Sequence, residues 1–248
     1  MPLQPVRWVS AFIDVPPDLL EASSSFWTTE TGSVVGRPHG DHDEFLPLDP
    51  PQGQPCLWLQ RIEDGPVGCH PDLYVDDVAA AAGHAEALGA TRLTTADGLV
   101  VLRSPGGLPF CLVRHRDQTV RPLPVGPDGE RSVVYQVCLD IPADRFDAEC
   151  EFWSALTGWP RTDEDRDDEF NRLTRPAEIP YAFLLQRLQD WRPAEGAHLD
   201  LACEDREAVT ARQVSLGAAV VRRTEGWTVM LDPAGMVFCN TGRQPGDV

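Results

Sequence analysis

The amino-acid sequence predicts an α+β fold of four β-α-β-β-β units, paired into two tandem modules whose curved mixed sheets carry helices on the outside. The first observation behind this prediction is an internal repeat. His70-Pro71-Asp72-Leu73 is matched 128 residues later by His198-Leu199-Asp200-Leu201, and Phe26-Trp27 is matched 126 residues later by Phe152-Trp153. A repeat at a nearly constant offset indicates duplicated structure. The second observation is that each repeat has one helical segment among four segments of strand-like alternation.

The first unit begins with an alternating strand from Trp8 to Val15. Pro16-Pro17-Asp18 predicts that a helix follows with proline in its first turn. Gly32 is suited to the C-terminal cap of that helix because glycine adopts left-handed backbone angles. Two short strands are expected between Val34 and Pro51, and a further strand from Cys56 to Ile62.

The second unit starts with a strand from His70 to Val75. Asp77 can cap the N-terminus of an alanine-rich helix over Val78 to Leu88, and Gly89 ends that helix. Three strands are predicted after it, over Thr91 to Thr95, Leu99 to Arg103 and Phe110 to Arg114.

The second half of the chain repeats this order. Phe146, Cys150 and Trp153 form the apolar stripe of the third helix, and the fourth unit runs from Ala197 to Asn240. A stretch rich in proline and glycine, without periodicity, indicates a linker between the halves. We therefore expect module one at residues 1–116, a linker at 117–131 and module two at 132–244.

The composition limits the classes of partner. A formal net charge of −18 in 248 residues argues against nucleic acid and anionic membrane as partners, since both favour basic surfaces. Seven cysteines without a compact spacing pattern favour reduced thiols. The sequence shows neither an N-terminal signal core nor a run of 18 apolar residues, so we expect a soluble, cytoplasmic protein.

Strand alternation places one His and one Asp of each tetrad on the same face of a sheet. His70 with Asp72, and His198 with Asp200, are therefore candidate functional pairs. A neighbouring carboxylate can hold one imidazole tautomer and raise the pKa of the imidazole. One hypothesis is thus metal-free acid–base catalysis by His198 and Asp200.

Four motifs occur in the same order in both modules. They are Phe-Trp in the first helix, Leu-Gln-Arg around Gln60 and Gln186, His-x-Asp-Leu, and Pro-x-Gly-x-x-Phe-Cys ending at Cys111 and Cys239. With these motifs the chain resembles the vicinal oxygen chelate superfamily, which includes glyoxalases, bleomycin resistance proteins and extradiol dioxygenases. More narrowly, it resembles the glyoxalase-like domain branch of that superfamily.

The resemblance implies that four strand positions of each module surround a shared cation in metal-dependent members. The corresponding residues are Ser10, Gln60, His70 and Cys111 in module one, and Gln136, Gln186, His198 and Cys239 in module two. The chain departs from the catalytic pattern, which has His or Glu at most of these positions. Amides, a thiol and one imidazole suit Mg²⁺, Mn²⁺ or Fe²⁺ poorly, although a thiolate with an imidazole can hold Zn²⁺. We therefore expect either no cofactor or a divalent metal on His198, Cys239, Gln136 and Gln186.

The hypothesis favoured by these departures is a protein that binds a small, partly aromatic molecule in a concave pocket without the usual catalytic metal. The residues expected to line the pocket are Phe12, Trp58, Gln60, His70, Asp72, Gln136 and Gln186. The alternative is a metal-dependent lyase, isomerase or dioxygenase that uses module two. A tandem pair imitates the dimer of single-module relatives, so a monomer or a homodimer is expected.

Overall fold

The order β-α-β-β-β occurs four times in the computed structural model, which describes residues 3–162, 169–189 and 194–248. Module one comprises β1 (Val6–Val15), α1 (Leu20–Thr31), β2 (Val34–Val35), β3 (Phe45–Asp49), β4 (Leu57–Arg61), β5 (Gly68–Val75), α2 (Val78–Ala87), β6 (Thr91–Ala96), β7 (Leu99–Arg103) and β8 (Pro109–Arg114). Module two comprises β9 (Ser132–Pro142), α3 (Phe146–Thr157), β10 (Arg161–Thr162), β11 (Phe170–Leu173), β12 (Ala182–Leu188), β13 (Gly196–Cys203), α4 (Arg206–Ser215), β14 (Ala219–Arg223), β15 (Trp227–Leu231) and β16 (Val237–Thr241). A short 3-10 helix, Pro245–Asp247, follows.

Each module forms one eight-stranded mixed sheet, as the repeat predicts. The strand order is β2-β3-β4-β1-β5-β8-β7-β6 in module one and β10-β11-β12-β9-β13-β16-β15-β14 in module two. β1 and β4 pair in parallel, as do β5 and β8, whereas β7 and β8 pair antiparallel. The α+β fold of two tandem modules is thereby confirmed.

The helix ends follow local rules, with one difference from expectation. α1 begins at Leu20, so the two prolines lie in the turn before it instead of in its first turn; the backbone N–H of Leu19 donates to the carbonyl of Pro16 at 3.0 Å. Gly32 caps the C-terminus at φ 61°, as predicted. Asp77 caps α2 by accepting a hydrogen bond from the backbone N–H of Ala80 at 2.9 Å.

The described residues form two compact units that do not coincide with the two modules. The first compact unit contains the chain up to Ser10, His70–Thr119 and the described residues of Val137–Ala197. The second compact unit contains Ala11–Cys69, Val120–Gln136 and His198–Val248. Each unit therefore takes one helix-bearing half from each module.

The Phe-Trp motifs lie in the cores of these units. In the first compact unit, the ring of Trp153 packs edge-on against Phe110, with centroids 5.1 Å apart. In the second, Trp27 packs edge-on against Phe238 at 5.4 Å. Both indoles are fully buried, so each motif joins a helix of one module to the last strand of the other.

Most of the predicted linker belongs to the second compact unit. The backbone N–H of Gln54 donates to the carbonyl of Val120 at 2.8 Å, and Val125 forms an isolated bridge with Ser132. The limits that we assign to the two modules stay a prediction. Among the described residues, none of the helices combines the length and apolar character needed to span a bilayer.

Candidate functional site

The face of β5 carries His70, Asp72 and Tyr74, because alternate residues of a strand point to the same side. All three side chains are buried. The His70 Nε2 and Asp72 Oδ1 atoms lie 3.6 Å apart. The Ser10 hydroxyl donates to the Tyr74 hydroxyl at 3.4 Å. The predicted pairing of His70 with Asp72 is therefore present in the first compact unit.

Cys111 joins this pair from the neighbouring strand. Parallel pairing of β5 with β8 puts Asp72 opposite Cys111. One potential ligand atom from each of His70, Asp72 and Cys111 lies within 4.8 Å of the other two. We call these three residues the histidine–aspartate–cysteine group. Sequence reasoning had counted Asp72 as the partner of His70 and not as a possible metal ligand, although the His-x-Asp spacing already placed it on this face.

The donor atoms of this group decide which ion it would suit. Imidazole nitrogen, carboxylate oxygen and cysteine sulfur together are typical ligands of Zn²⁺, and three protein ligands leave a fourth position open. Mn²⁺ and Mg²⁺ prefer oxygen-rich sites. The residues present therefore fit a zinc-like ion and fit a manganese-like ion poorly.

The equivalent pair in module two is held by an additional amide. His198 Nε2 lies 3.4 Å from Asp200 Oδ1, and the Gln136 side-chain amide donates to Asp200 Oδ2 at 2.6 Å. Parallel pairing of β13 with β16 puts Asp200 opposite Cys239. The Gln136 Oε1 atom is buried and has no hydrogen-bond partner among the described residues. Gln136 thus orients the carboxylate that faces His198.

Gln186 has other contacts. Its Oε1 accepts from the Cys138 thiol at 3.7 Å, and its Nε2 donates to Glu169 Oε1 at 3.3 Å. Both ends of this amide are therefore engaged within the first compact unit. The roles predicted for Gln186, Cys239 and the His198–Asp200 pair stay predictions.

An aromatic cluster lies in the second compact unit. The rings of Phe12 and Trp58 stack with centroids 5.4 Å apart and an interplanar angle of 18°. Phe45 packs edge-on against Phe12 at 6.0 Å, and His39 lies 5.6 Å from Trp58. We call these four residues the aromatic face. Sequence reasoning found Phe12 and Trp58 by alternation but missed Phe45, at the start of β3, and His39, which forms an isolated bridge with Phe45.

Polar groups border the aromatic face. Strand pairing puts Asp14 and Phe45 opposite Gln60, one position along the same face from Trp58. The side chains of Asp14, Phe45, Trp58 and Gln60 are each partly exposed, in contrast to those of the histidine–aspartate–cysteine group. The Trp58 indole Nε1 is buried and has no hydrogen-bond partner among the described residues. This face therefore offers accessible ring surface, with a buried N–H donor that lacks a partner among the described residues.

Comparison of the chain with known protein families agrees with the two tandem modules. The family model for the glyoxalase-like domain matches the chain twice, over residues 11–113 and 136–241. The chain belongs to the glyoxalase-like domain family. The resemblance to the vicinal oxygen chelate superfamily is thereby confirmed.

Solved structures share the fold of this glyoxalase-like protein at low sequence identity. A Mn(II)-bound glyoxalase from Novosphingobium aromaticivorans has a TM-score of 0.62 and 17% identity, covering 96% of this chain and 83% of its own. An extradiol ring-cleaving dioxygenase from B. fuscum has a TM-score of 0.65 and 14% identity, covering 98% and 73%. The 2,3-dioxygenase LapB from Pseudomonas sp. KL28 has a TM-score of 0.61 and 15% identity, covering 97% and 93%. No curated protein matches this chain significantly.

Proposed function

We propose that this glyoxalase-like protein binds a small, partly aromatic molecule at the aromatic face, and that this binding needs no metal ion. The observation that carries the proposal is the stack of Phe12 on Trp58, with Phe45 and His39 against the two rings. Small-molecule sites are lined mainly by apolar and aromatic side chains, and a few polar groups orient the ligand. The partly exposed indole of Trp58 supplies the ring surface on which a planar ligand can stack.

The surrounding groups define the chemistry of the ligand further. The Trp58 N–H, which lacks a partner among the described residues, would bind an acceptor atom on the ligand. Gln60 offers both a donor and an acceptor on the same face. Asp14 and the net charge of −18 favour neutral or basic compounds over anionic ones. The expected ligand is therefore a planar heteroaromatic compound with an acceptor atom and no negative charge.

Calorimetric titration with acridine, quinoline and 2-naphthoate tests this proposal. We expect acridine and quinoline to bind and 2-naphthoate to bind at least tenfold more weakly. The variant Trp58→Leu installs the residue found at the equivalent position of module two, Leu184, and should weaken binding at least tenfold, which is about 1.4 kcal/mol. Trp227→Leu is the matched control, because it takes a tryptophan out of β15, and this variant should bind as the parent does.

Circular dichroism of both variants checks that they are folded. Binding that is equal in the Trp58 variant and the parent would refute the assignment of this face. Addition of a chelator should leave acridine binding unchanged, and loss of binding would show that a metal is required.

The second candidate is a metal-dependent lyase, isomerase or dioxygenase activity, and the convergence of His70, Asp72 and Cys111 supports it. A divalent ion bound there would act as a Lewis acid on a substrate oxygen. The buried position of the three residues would exclude water from that oxygen. In this candidate module one holds the ion, whereas sequence reasoning assigned it to module two.

Elemental analysis of protein purified without a histidine tag tests the second candidate. It predicts about one zinc per chain, lost in Cys111→Ser and retained in Cys150→Ser, whose cysteine is buried in α3. Equal zinc content in both variants would refute this site. The expected state, a monomer or a homodimer in the cytoplasm, stays a prediction that light scattering of the purified protein tests in part.

A further inference from the structure

Two carboxyl groups are buried together in the first compact unit. Glu149 lies on α3 and is 0% exposed, and Glu195 directly precedes β13 and is 7% exposed. They meet at Gly106, in the turn between β7 and β8. A methyl group added there would come within 2.5 Å of Glu195 Oε1 and 2.9 Å of the Glu149 carboxyl carbon. Both carboxyl groups therefore contact the same glycine.

Glu149 is bonded as a carboxylate anion. Its Oε1 accepts from the backbone N–H of Gly106, and its Oε2 accepts from the Trp153 indole N–H at 3.0 Å. These N–H groups can only donate, so each oxygen of Glu149 already acts as an acceptor. These hydrogen bonds stabilise the negative charge on Glu149 and oppose burial, which raises the pKa of Glu149 above its ordinary value.

Glu195 is bonded differently at its two oxygens. Its Oε2 accepts from the Ser104 hydroxyl at 2.9 Å, whereas its buried Oε1 meets no donor among the described residues. A second charge beside Glu149 would be costly, because burial and a like charge both disfavour ionisation. A proton on Oε1, directed at Glu149, removes both costs. Burial and the neighbouring Glu149 charge raise the pKa of Glu195 to about 9.

In the second compact unit, the equivalent helix and turn are joined by a single carboxylate, that of Asp232. Asp232 accepts from the Trp27 indole N–H at 2.8 Å and from the Ser23 hydroxyl at 3.3 Å. The repeat offsets make Asp232 the counterpart of Ser104, and Ser23 the counterpart of Glu149. The acid thus lies on the turn in one unit and on the helix in the other.

Glu195 has no acidic counterpart in that arrangement. The residue 128 positions earlier is Val67, which carries no charge. In the first compact unit, Glu149 by itself accepts from the helix, through the Trp153 indole, and from the turn, through the backbone N–H of Gly106. Glu195 is an additional acid, and its contacts join the segment before β13 to the turn.

We propose that Glu149 and Glu195 share one proton and form a latch that holds residues 194–196 to the turn at residues 104–107, and that the latch loosens when the proton is lost. The backbone N–H of Glu195 donates to the Gly106 carbonyl at 3.3 Å and forms the second contact of the latch. Arg145 and Arg103 face the same turn, where they donate to the carbonyls of Gly106 and Gly107 at 2.9 and 3.0 Å.

The sign of the pH effect follows from linkage. An unfolded glutamate has a pKa near 4.5, whereas folding raises the pKa of Glu195 to about 9. Between these values the folded protein binds one proton more than the unfolded chain. The stabilisation that the proton on Glu195 contributes is therefore fully present below pH 4.5, and it is lost as the pH rises to about 9.

Thermal unfolding of the full chain between pH 5 and pH 9.5 tests the latch. Glu195→Gln keeps the shape and supplies a neutral N–H in place of the O–H. Its Tm should equal that of the parent within about 2 °C at pH 5 and exceed it by roughly 5 °C or more at pH 9. Glu151→Gln, an exposed glutamate on the same helix, is the matched control and should keep the pH profile of the parent.

Two outcomes would overturn the proposal. One is a Glu195→Gln profile that runs parallel to that of the parent at every pH. The other is a rise in parental Tm at pH 9 on addition of Ca²⁺ that EDTA reverses, since a cation would then occupy the place of the proton. Carbon-13 NMR of glutamate-labelled parent protein gives a test without substitution: one carboxyl resonance should titrate near pH 9, and the absence of any titration above pH 7 would refute the shared proton.

Discussion

Replacement of Asp232 by alanine should be among the most destabilising single changes in the second compact unit. The side chain is 4% exposed and accepts three hydrogen bonds of 2.8 Å, from the Trp27 indole and from the backbone N–H groups of Ala234 and Met236. The Ser23 hydroxyl adds a fourth, at 3.3 Å. Alanine would leave all of these donors without their acceptor.

The magnitude follows from the number of donors. Each buried donor left unpaired costs about 1–3 kcal/mol, and partial relaxation of the turn keeps the total at roughly 3–5 kcal/mol. Asp232→Asn retains one acceptor oxygen, so it should cost about 1–2 kcal/mol. Asp97→Asn is the control, because the Asp97 side chain is 92% exposed and the change should stay within about 0.5 kcal/mol.

Urea denaturation at pH 7, followed by circular dichroism and tryptophan fluorescence, measures these differences. The expected order of stability is parent, then Asp232→Asn, then Asp232→Ala. A loss below about 1 kcal/mol in the alanine variant would show that the donors find other acceptors, and the reasoning from their number would then be wrong.

Two further predictions concern an ion pair and a helix end. Arg212→Ala should cost about 3–5 kcal/mol in urea denaturation, because it leaves the buried Glu30 carboxylate, 2.9 Å from Arg212, without its cation. Arg131→Ala removes a partly exposed ion pair with Glu204 and should cost much less. Equal losses would contradict the role of burial. Gly32→Ala should cost about 1 kcal/mol because the C-terminal cap of α1 holds φ at 61°, and Gly226→Ala, which meets open space, should leave the Tm unchanged. A Gly32 variant as stable as the parent would mean that the cap tolerates a side chain.

The order of elements was predictable because it depends on local patterns that occur twice. The caps at Gly32 and Asp77 depend on backbone geometry within one turn, and both are present. Alternation along β5 correctly paired His70 with Asp72. The start of α1 was placed too early, because proline only permits the first turn of a helix and does not fix where it begins.

Contacts between distant segments could not be predicted in this way. Trp27 meets Asp232 across 205 residues, and nothing in the local sequence of either residue indicates the other. Glu149 did carry a signal, since it places a charge on the apolar stripe of α3 beside Cys150. Its partner Glu195 follows a proline and an alanine, in a segment without periodicity, and only the folded chain brings the two together.

The acid and the hydroxyl are placed oppositely in the two compact units, and this limits whether either module could pair with a second copy of itself. A symmetric dimer of module one alone would set Ser23 against Ser104 and would leave its tryptophan N–H groups without a carboxylate. A symmetric dimer of module two alone would set Glu149 against Asp232, with two acids in each enclosure. Neither module can therefore replace the other, because the acid and the hydroxyl at these four positions complement each other only when both modules are present.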